Sequence, residues 1–169
     1  GPPTDEPRLK ELGQQGIDVL VCDSTNATRD GTSISEIDVA KTMKELIKAA
    51  ERRVIVTTFA SNVARIKSVA EAAYEAGRYV ILAGRALERV VNIAKETGYI
   101  PEDYSFLSDE DFQHLPAAEC VVLATGSQGE GRAAMARIAE GSHPKIKPKP
   151  NDTVIFSSRT IPGNERSVS

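Results

Sequence analysis

Tryptophan is absent from this chain, and cysteine and histidine occur only twice each among 169 residues. Each scarcity excludes a class of protein. Cys22 and Cys120 both lie inside apolar runs, so there is no disulfide framework, and two buried thiols in a reducing compartment, the cytoplasm, are expected. His114 and His143 fall in an irregular stretch and a proline-rich loop without the HxH or HExxH spacing of a metal centre, so no metal ligand is assigned. No G-x-S-x-G turn prepares a nucleophilic serine, and the chain therefore carries no complete catalytic apparatus of its own. Long apolar runs are also missing. Nothing approaches the roughly 20 residues of a membrane span, and the first sixteen residues lack a basic-then-apolar leader, so no membrane contact is expected. Neither sign of charge dominates, with 21 Lys and Arg against 24 Asp and Glu and a net charge of −3. That balance excludes a bulk electrostatic footprint for nucleic acid and confines any such contact to a local patch. The most basic piece, SHPKIKPKPNDT with Lys145, Lys147 and Lys149, reads as a solvated loop.

What the chain does have is a succession of short runs rich in valine and isoleucine: IDVLVCD (17–23), RVIVTTF (53–59), YVILAG (79–84), CVVLATG (120–126) and DTVIFSS (152–158). They are continuously apolar, the mark of strands covered on both faces. Helical patterns lie between them. Residues 34–51 space Ile37, Ala40, Met43, Leu46, Ile47 and Ala50 by three and four behind a Ser33 and Glu36 capping box. Residues 62–76, 86–97 and 130–140 repeat the pattern, closed by Gly77, Gly98 and Gly141. Strands alternating with helices predict an α/β fold, a doubly wound, mainly parallel five-stranded sheet of Rossmann-like type with helices on both faces. Residues 1–16 read as a lead-in with a short helix, and 98–119 as an irregular excursion.

In an open parallel sheet ligands bind beyond the carboxyl ends of the strands. Those ends are polar here: Asp23-Ser24-Thr25-Asn26, then Ser61-Asn62 with Arg65, then Gly84-Arg85, then Gly126-Ser127-Gln128-Gly129-Glu130, then Ser157-Ser158-Arg159. Arginines, hydroxyls, amides and helix N-termini on one rim suit phosphates or sugar hydroxyls. Each also has a plainer role. Ser61 and Asn62 serve equally as a helix cap, Asp23 as a turn acceptor for its neighbours, and Glu130 as the acid that a helix start favours. The glycines of GSQGEG follow the fourth run, not the first, and their spacing is wrong for a dinucleotide fingerprint. An α/β enzyme or binding protein for a nucleotide or phosphorylated metabolite, and a protein-docking module, both remain open.

The segments CDSTNA, TTFASNVARI, AGRALERV, LATGSQGEGRAAMARIAEG and DTVIFSSRTIPGNE occur in the order and approximate spacing of the bacterial ribonuclease J family. The chain resembles the β-CASP domain of that family from residue 17 to residue 166, with 167–169 a tail toward a metallo-β-lactamase domain that it lacks. The resemblance implies a domain excised from a cytoplasmic enzyme that degrades and processes RNA, rRNA included. That enzyme acts on single-stranded RNA from a 5′-monophosphate end and also cuts internally, with two divalent metals, zinc or manganese, held by the metallo-β-lactamase domain. It implies a parent that is a homodimer or tetramer, and a fragment inactive alone. Asp23 matches the family acid that supports a histidine near the metals. Ser61, Asn62, Arg65, Arg85, Ser127, Gln128, Gly129 and Glu130 are the implied RNA and phosphate contacts. The sequence departs from the family pattern at Ala86, where a hydroxyl is usual, and at Gly131, where proline is usual and whose absence predicts a looser helix start.

Overall fold

Valine and isoleucine are stiff at χ1 and pack well on a pleated surface, which makes the apolar runs of this chain strands and not helices. In the computed structural model, residues 4–24, 27–28, 30–31, 34–158, 160–161 and 163–168 are described, without the side chain of Ser167. The chain divides into two units, 1–36 and 37–169.

The first unit holds helix α1, Glu6–Gln15, whose start is capped by Asp5, its carboxylate accepting from Arg8 N at 3.0 Å. The expected strand at 17–23 does not form. Ile17, Val19, Leu20 and Val21 are 55%, 76%, 78% and 92% exposed. Apolar composition alone does not make a strand; the ladder needs a neighbour to pair its N–H and C=O groups, and no described residue supplies one. Cys22 is exposed for the same reason, against the expectation of two buried thiols. Ser33, the expected cap residue of the next helix, lies outside the described residues.

The second unit is the sheet. Strands β1 (Val54–Thr57), β2 (Tyr79–Ala83), β3 (Phe106–Leu107), β4 (Cys120–Ala124) and β5 (Thr153–Phe156) stand in the order β3-β2-β4-β1-β5. Every pairing is parallel, with Val54 level with Val121 and with Thr153, and Val80 level with Val121 and with Phe106. Five strands were expected, but β3 comes from the stretch read as irregular. Two residues are too short a run to signal a strand, and they pair only because β2 offers an open edge. Helices α2 (Glu36–Ala49), α3 (Val63–Glu75), α4 (Arg85–Glu96) and α5 (Ala134–Ala139) follow the predicted patterns. Ile37 and Leu46 of the first pattern stay exposed while Met43 and Ile47 are buried. Helix α5 begins at Ala134, four residues later than the pattern over 130–140. A last short helix, α6, spans Glu165–Val168.

Strand residues alternate between two cores. Val54, Val56, Val80, Leu82, Val121 and Leu123 pack under α2, α3 and α4 against Ile47, Ile66, Val69 and Leu87. Ile55, Ile81, Val122 and Ala124 face the other way, onto α5, Phe112 and Ile146. Each such Ile or Leu, fully withdrawn from water, contributes about 1.5–3 kcal/mol. Arg78 closes the carboxyl end of α2, donating to the carbonyls of Ala50 and Arg52 where the helix dipole favours a cation. Cys120, buried in the second core, has its thiol pushed up to about 11 by desolvation, which keeps it inert.

His143 is buried at the end of that core. Its Nδ1 accepts from Lys145 N at 3.3 Å and Ile146 N at 3.0 Å, so a neutral ring carries its proton on Nε2, 3.9 Å from Asp109. Burial, with Arg137 and Lys147 nearby, lowers its pKa from the ordinary 6.5, Asp109 opposing. Below that ordinary value the unfolded chain binds the proton before the folded chain does, so stability falls as pH falls through this window and is regained on raising it. The melting temperature is therefore expected to decline from pH 7 to pH 5. The decline should flatten in His143→Asn, whose amide oxygen keeps the two N–H bonds without titrating.

Candidate functional site

Strand β1 feeds α3 on one face and its neighbour β4 feeds α5 on the other, so their exit loops diverge and open a crevice at the carboxyl edge of the sheet. This is the topological switch point, where open α/β sheets place ligands. The floor is a backbone bond from Thr58 N to Ala124 O at 3.1 Å. At these strand ends Thr57, Thr58 and Ser127 each hold a buried hydroxyl with no hydrogen-bond partner among the described residues. A buried hydroxyl left unmet costs about 1–3 kcal/mol, so groups of this kind mark places that meet a polar partner. The two threonines were missed in the sequence; the signal for them is a hydroxyl pair ending an otherwise apolar strand.

On one wall, Asn62 is the cap of α3, its Oδ1 accepting from Arg65 N at 3.0 Å. That settles half of the open question about Asn62, because the cap uses only one end of the amide. Ser61 beside it is exposed. Arg65 turns inward: it is 6% exposed, and its Nη1 donates to the carbonyl of Ser157 and, at 2.5 Å, to the Ser157 hydroxyl. Arg85 opens α4 and is exposed, following Gly84, which packs against Thr125.

The opposite wall is the loop after β4. Gln128 is buried and spent on the chain itself, its Oε1 accepting from Ile161 N at 2.7 Å and its Nε2 donating to Ser158 Oγ at 3.4 Å. Ser158 Oγ in turn donates to Ser127 O at 3.5 Å. Arg65 and Gln128 thus latch the segment leaving β5 onto the crevice from both sides. Glu130 is exposed and accepts from Gln128 N at 3.0 Å, while Gly129 N donates to Gly126 O at 3.3 Å. The N-terminus of α5 is likewise occupied, Met135 N donating to Thr125 O at 2.9 Å and Ala134 N to Thr125 Oγ1 at 3.5 Å. The glycine-rich loop is therefore a folded support more than a cradle of open N–H groups.

Asp23 is exposed and belongs to the first unit; the Thr25 and Asn26 that follow it, and Arg159, lie outside the described residues. The polar groups that the ends of β1, β4 and β5 bring together are those of Thr58, Arg65, Ser127 and Gln128, while Ser61 and Asn62, at the same edge of the sheet, line a cavity between α3 and α4 with Val90, Ile93 and Tyr99.

Residues 51–169 match the family model for the ribonuclease J β-CASP domain. Among curated proteins the chain is 49% identical over 168 residues to a ribonuclease J of Sinorhizobium meliloti. It is 43% identical over 169 residues to that of Mycolicibacterium smegmatis and 41% to that of Corynebacterium glutamicum. Each comparison takes in 99% of this chain but only 30%, 30% and 24% of the relative, so the chain spans less than a third of their length.

Proposed function

Because the chain belongs to the β-CASP domain family of ribonuclease J, we propose that its switch-point crevice forms one wall of an RNA cleft and of a pocket for a 5′-monophosphate. The observation that carries this reading is the pair of unpartnered buried hydroxyls, Thr58 and Ser127, that follow the adjacent strands β1 and β4, with the exposed Ser61 and the half-used amide of Asn62 at the same edge of the sheet. Hydroxyls and amides of this kind grip phosphate and ribose without reading base sequence. Arg85 adds a cation at the rim, and Arg65, Gln128, Gly129 and Glu130 hold the walls in place. The other wall, in this reading, is a metallo-β-lactamase domain of the same polypeptide, toward which Asp23 supports a histidine. The whole enzyme then acts in the cytoplasm, in RNA decay and rRNA processing, by 5′-to-3′ and internal cuts.

Two divalent metals, zinc or manganese, are implied by the resemblance. Among the described residues no group of three His, Cys, Asp or Glu fits a metal ion. The resemblance assigns their ligands to the metallo-β-lactamase domain, and no chemical step is assigned to residues here. No helix among the described residues is long and apolar enough to cross a membrane.

Fluorescence anisotropy with a 3′-labelled single-stranded RNA tests the reading. Asn62→Asp keeps the oxygen that caps α3 but puts a carboxylate where the amide N–H faced phosphate, so it should leave stability within about 0.5 kcal/mol. RNA affinity should fall about tenfold, as expected for the loss of a phosphate contact worth about 1–2 kcal/mol. Unchanged affinity in that variant counts against the crevice as the RNA wall.

A further inference from the structure

The amino end of the sheet, opposite the crevice, carries a second cavity of about 260 Å³, lined among others by Tyr74, Arg78, Tyr79, Asp103, Tyr104 and Ser105. Three of the four tyrosines in the chain meet here. Tyr74 and Tyr79 are not placed as core residues, being 67% and 46% exposed, while Tyr104 is half-buried against the first core. The Tyr74 and Tyr104 rings stack with centroids 5.7 Å apart and planes at 20°, which puts an aromatic pair in the lining. Ala70 and Gly77 keep the lining free of bulk.

The polar groups narrow the occupant. Asp103 is exposed and makes no hydrogen bond or ion pair among the described residues. Its carboxylate repels a phosphate and accepts from N–H donors. Arg78 is held by the carbonyls of Ala50 and Arg52, and so lines the cavity without being offered as an anion clamp. Nearby charge is close to balanced, because Glu75 pairs with Lys44 and Glu71 lies 4.0 Å from Lys67, which disfavours a strongly charged ligand of either sign. Aromatic faces with one carboxylate suit a flat heterocycle whose faces are apolar and whose edge donates. The volume is below the roughly 300–1,000 Å³ of sites that enclose a drug-sized ligand, so a ring enters and what is attached to it stays outside.

We propose that this cavity binds a purine base, guanine above all, stacked on the tyrosines with its adjacent N1–H and N2–H donors on Asp103. The base is carried either by a free nucleotide or by an unpaired position of a single-stranded RNA, and the second source rests on the function proposed above. In that case the domain holds RNA at two places, at the crevice through the backbone and here through a base.

Two-dimensional NMR of the 169-residue chain tests this with GMP, with ribose 5-phosphate as the baseless control, and with a single-stranded hexamer containing one guanosine. GMP should shift the rings of Tyr74, Tyr79 and Tyr104, and ribose 5-phosphate should leave them in place. Loss of one stacking ring in Tyr74→Ala should weaken GMP binding about 5- to 100-fold. Asp103→Asn, which replaces one of the two acceptor oxygens, should weaken GMP more than it weakens inosine monophosphate, which lacks the N2 amino group. Melting temperatures of both variants confirm that they fold. If the hexamer reproduces the tyrosine shifts and GMP competes for them, the source is RNA; if only GMP shifts them, it is a free nucleotide, and either result supports the base site. Absence of tyrosine shifts with GMP, equal shifts with ribose 5-phosphate, or indifference to Asp103→Asn overturns it. Failure of the RNA reading would show separately, in the same spectra, as a lack of hexamer shifts at Ser61 and Asn62.

Discussion

Replacing Gly126 with alanine is expected to destabilise the protein by about 3–5 kcal/mol and to lower its melting temperature by about 10 °C. Two independent costs combine. Gly126 has φ +111°, a backbone conformation that side chains rarely adopt, and a Cβ placed there would lie 2.7 Å from the Cβ of Ala133 and 3.1 Å from that of Met135. The neighbours cannot retreat cheaply, because Met135 is tied to Thr125 through its N–H and is buried against the second core. The close approach is what lets the loop after β4 fold back over the start of α5. Thermal denaturation followed by circular dichroism measures the effect, and a loss under about 1 kcal/mol would mean that the loop relaxes freely.

The second large effect is at Arg65. Arg65→Met keeps most of the side-chain volume and removes the guanidinium that meets both oxygens of Ser157. A buried charge-assisted contact of this kind, with its acceptors then left unmet, should cost about 2–4 kcal/mol. Hydrogen exchange should report where the cost falls: the amide of Ile161, held by Gln128, should exchange faster because the latch on the segment leaving β5 has lost its other half. The same variant separates two roles. A large stability loss makes Arg65 a support of the crevice wall, whereas an unchanged melting temperature with weakened RNA binding would make it a phosphate ligand, the role that the family resemblance implies.

The contrast between those roles shows what a sequence displays and what it hides. Runs such as VIVT, YVILA and CVVLA announce themselves because strands buried on both faces must be apolar at nearly every position, and three of the five strands were legible on that ground. Thr153–Phe156 has the same composition but, as an edge strand, leaves Val154 and Phe156 41% and 45% exposed, against the expectation of cover on both faces. The fifth, Phe106–Leu107, has too few residues to show a period. The run at 17–23 has the composition without the partner, and pairing is a property of two segments, not of one. At the site, the sequence collected the ends of β1, β2, β4 and β5, which the parallel order brings to one edge, but also 23–26, which follows no strand. It could not tell which polar side chains turn inward. Arg65 and Gln128 look as available as Ser61 and Arg85 in a string of letters, yet the first two are buried in bonds to Ser157, Ser158 and Ile161. Thr57 and Thr58 were passed over because threonine is an ordinary strand residue, and only burial without a partner sets their hydroxyls apart.

The central claim is that the carboxyl edge of the sheet is the RNA-facing wall and reads a 5′-phosphate. The most direct measurement is an NMR titration of this chain with one short single-stranded RNA prepared with a 5′-monophosphate and again with a 5′-hydroxyl, at two salt concentrations. Larger shifts for the phosphorylated strand at Ser61, Asn62 and Ser127, weakening as salt rises, are the predicted result. Equal shifts for the two strands, or shifts that bypass these residues, would contradict it.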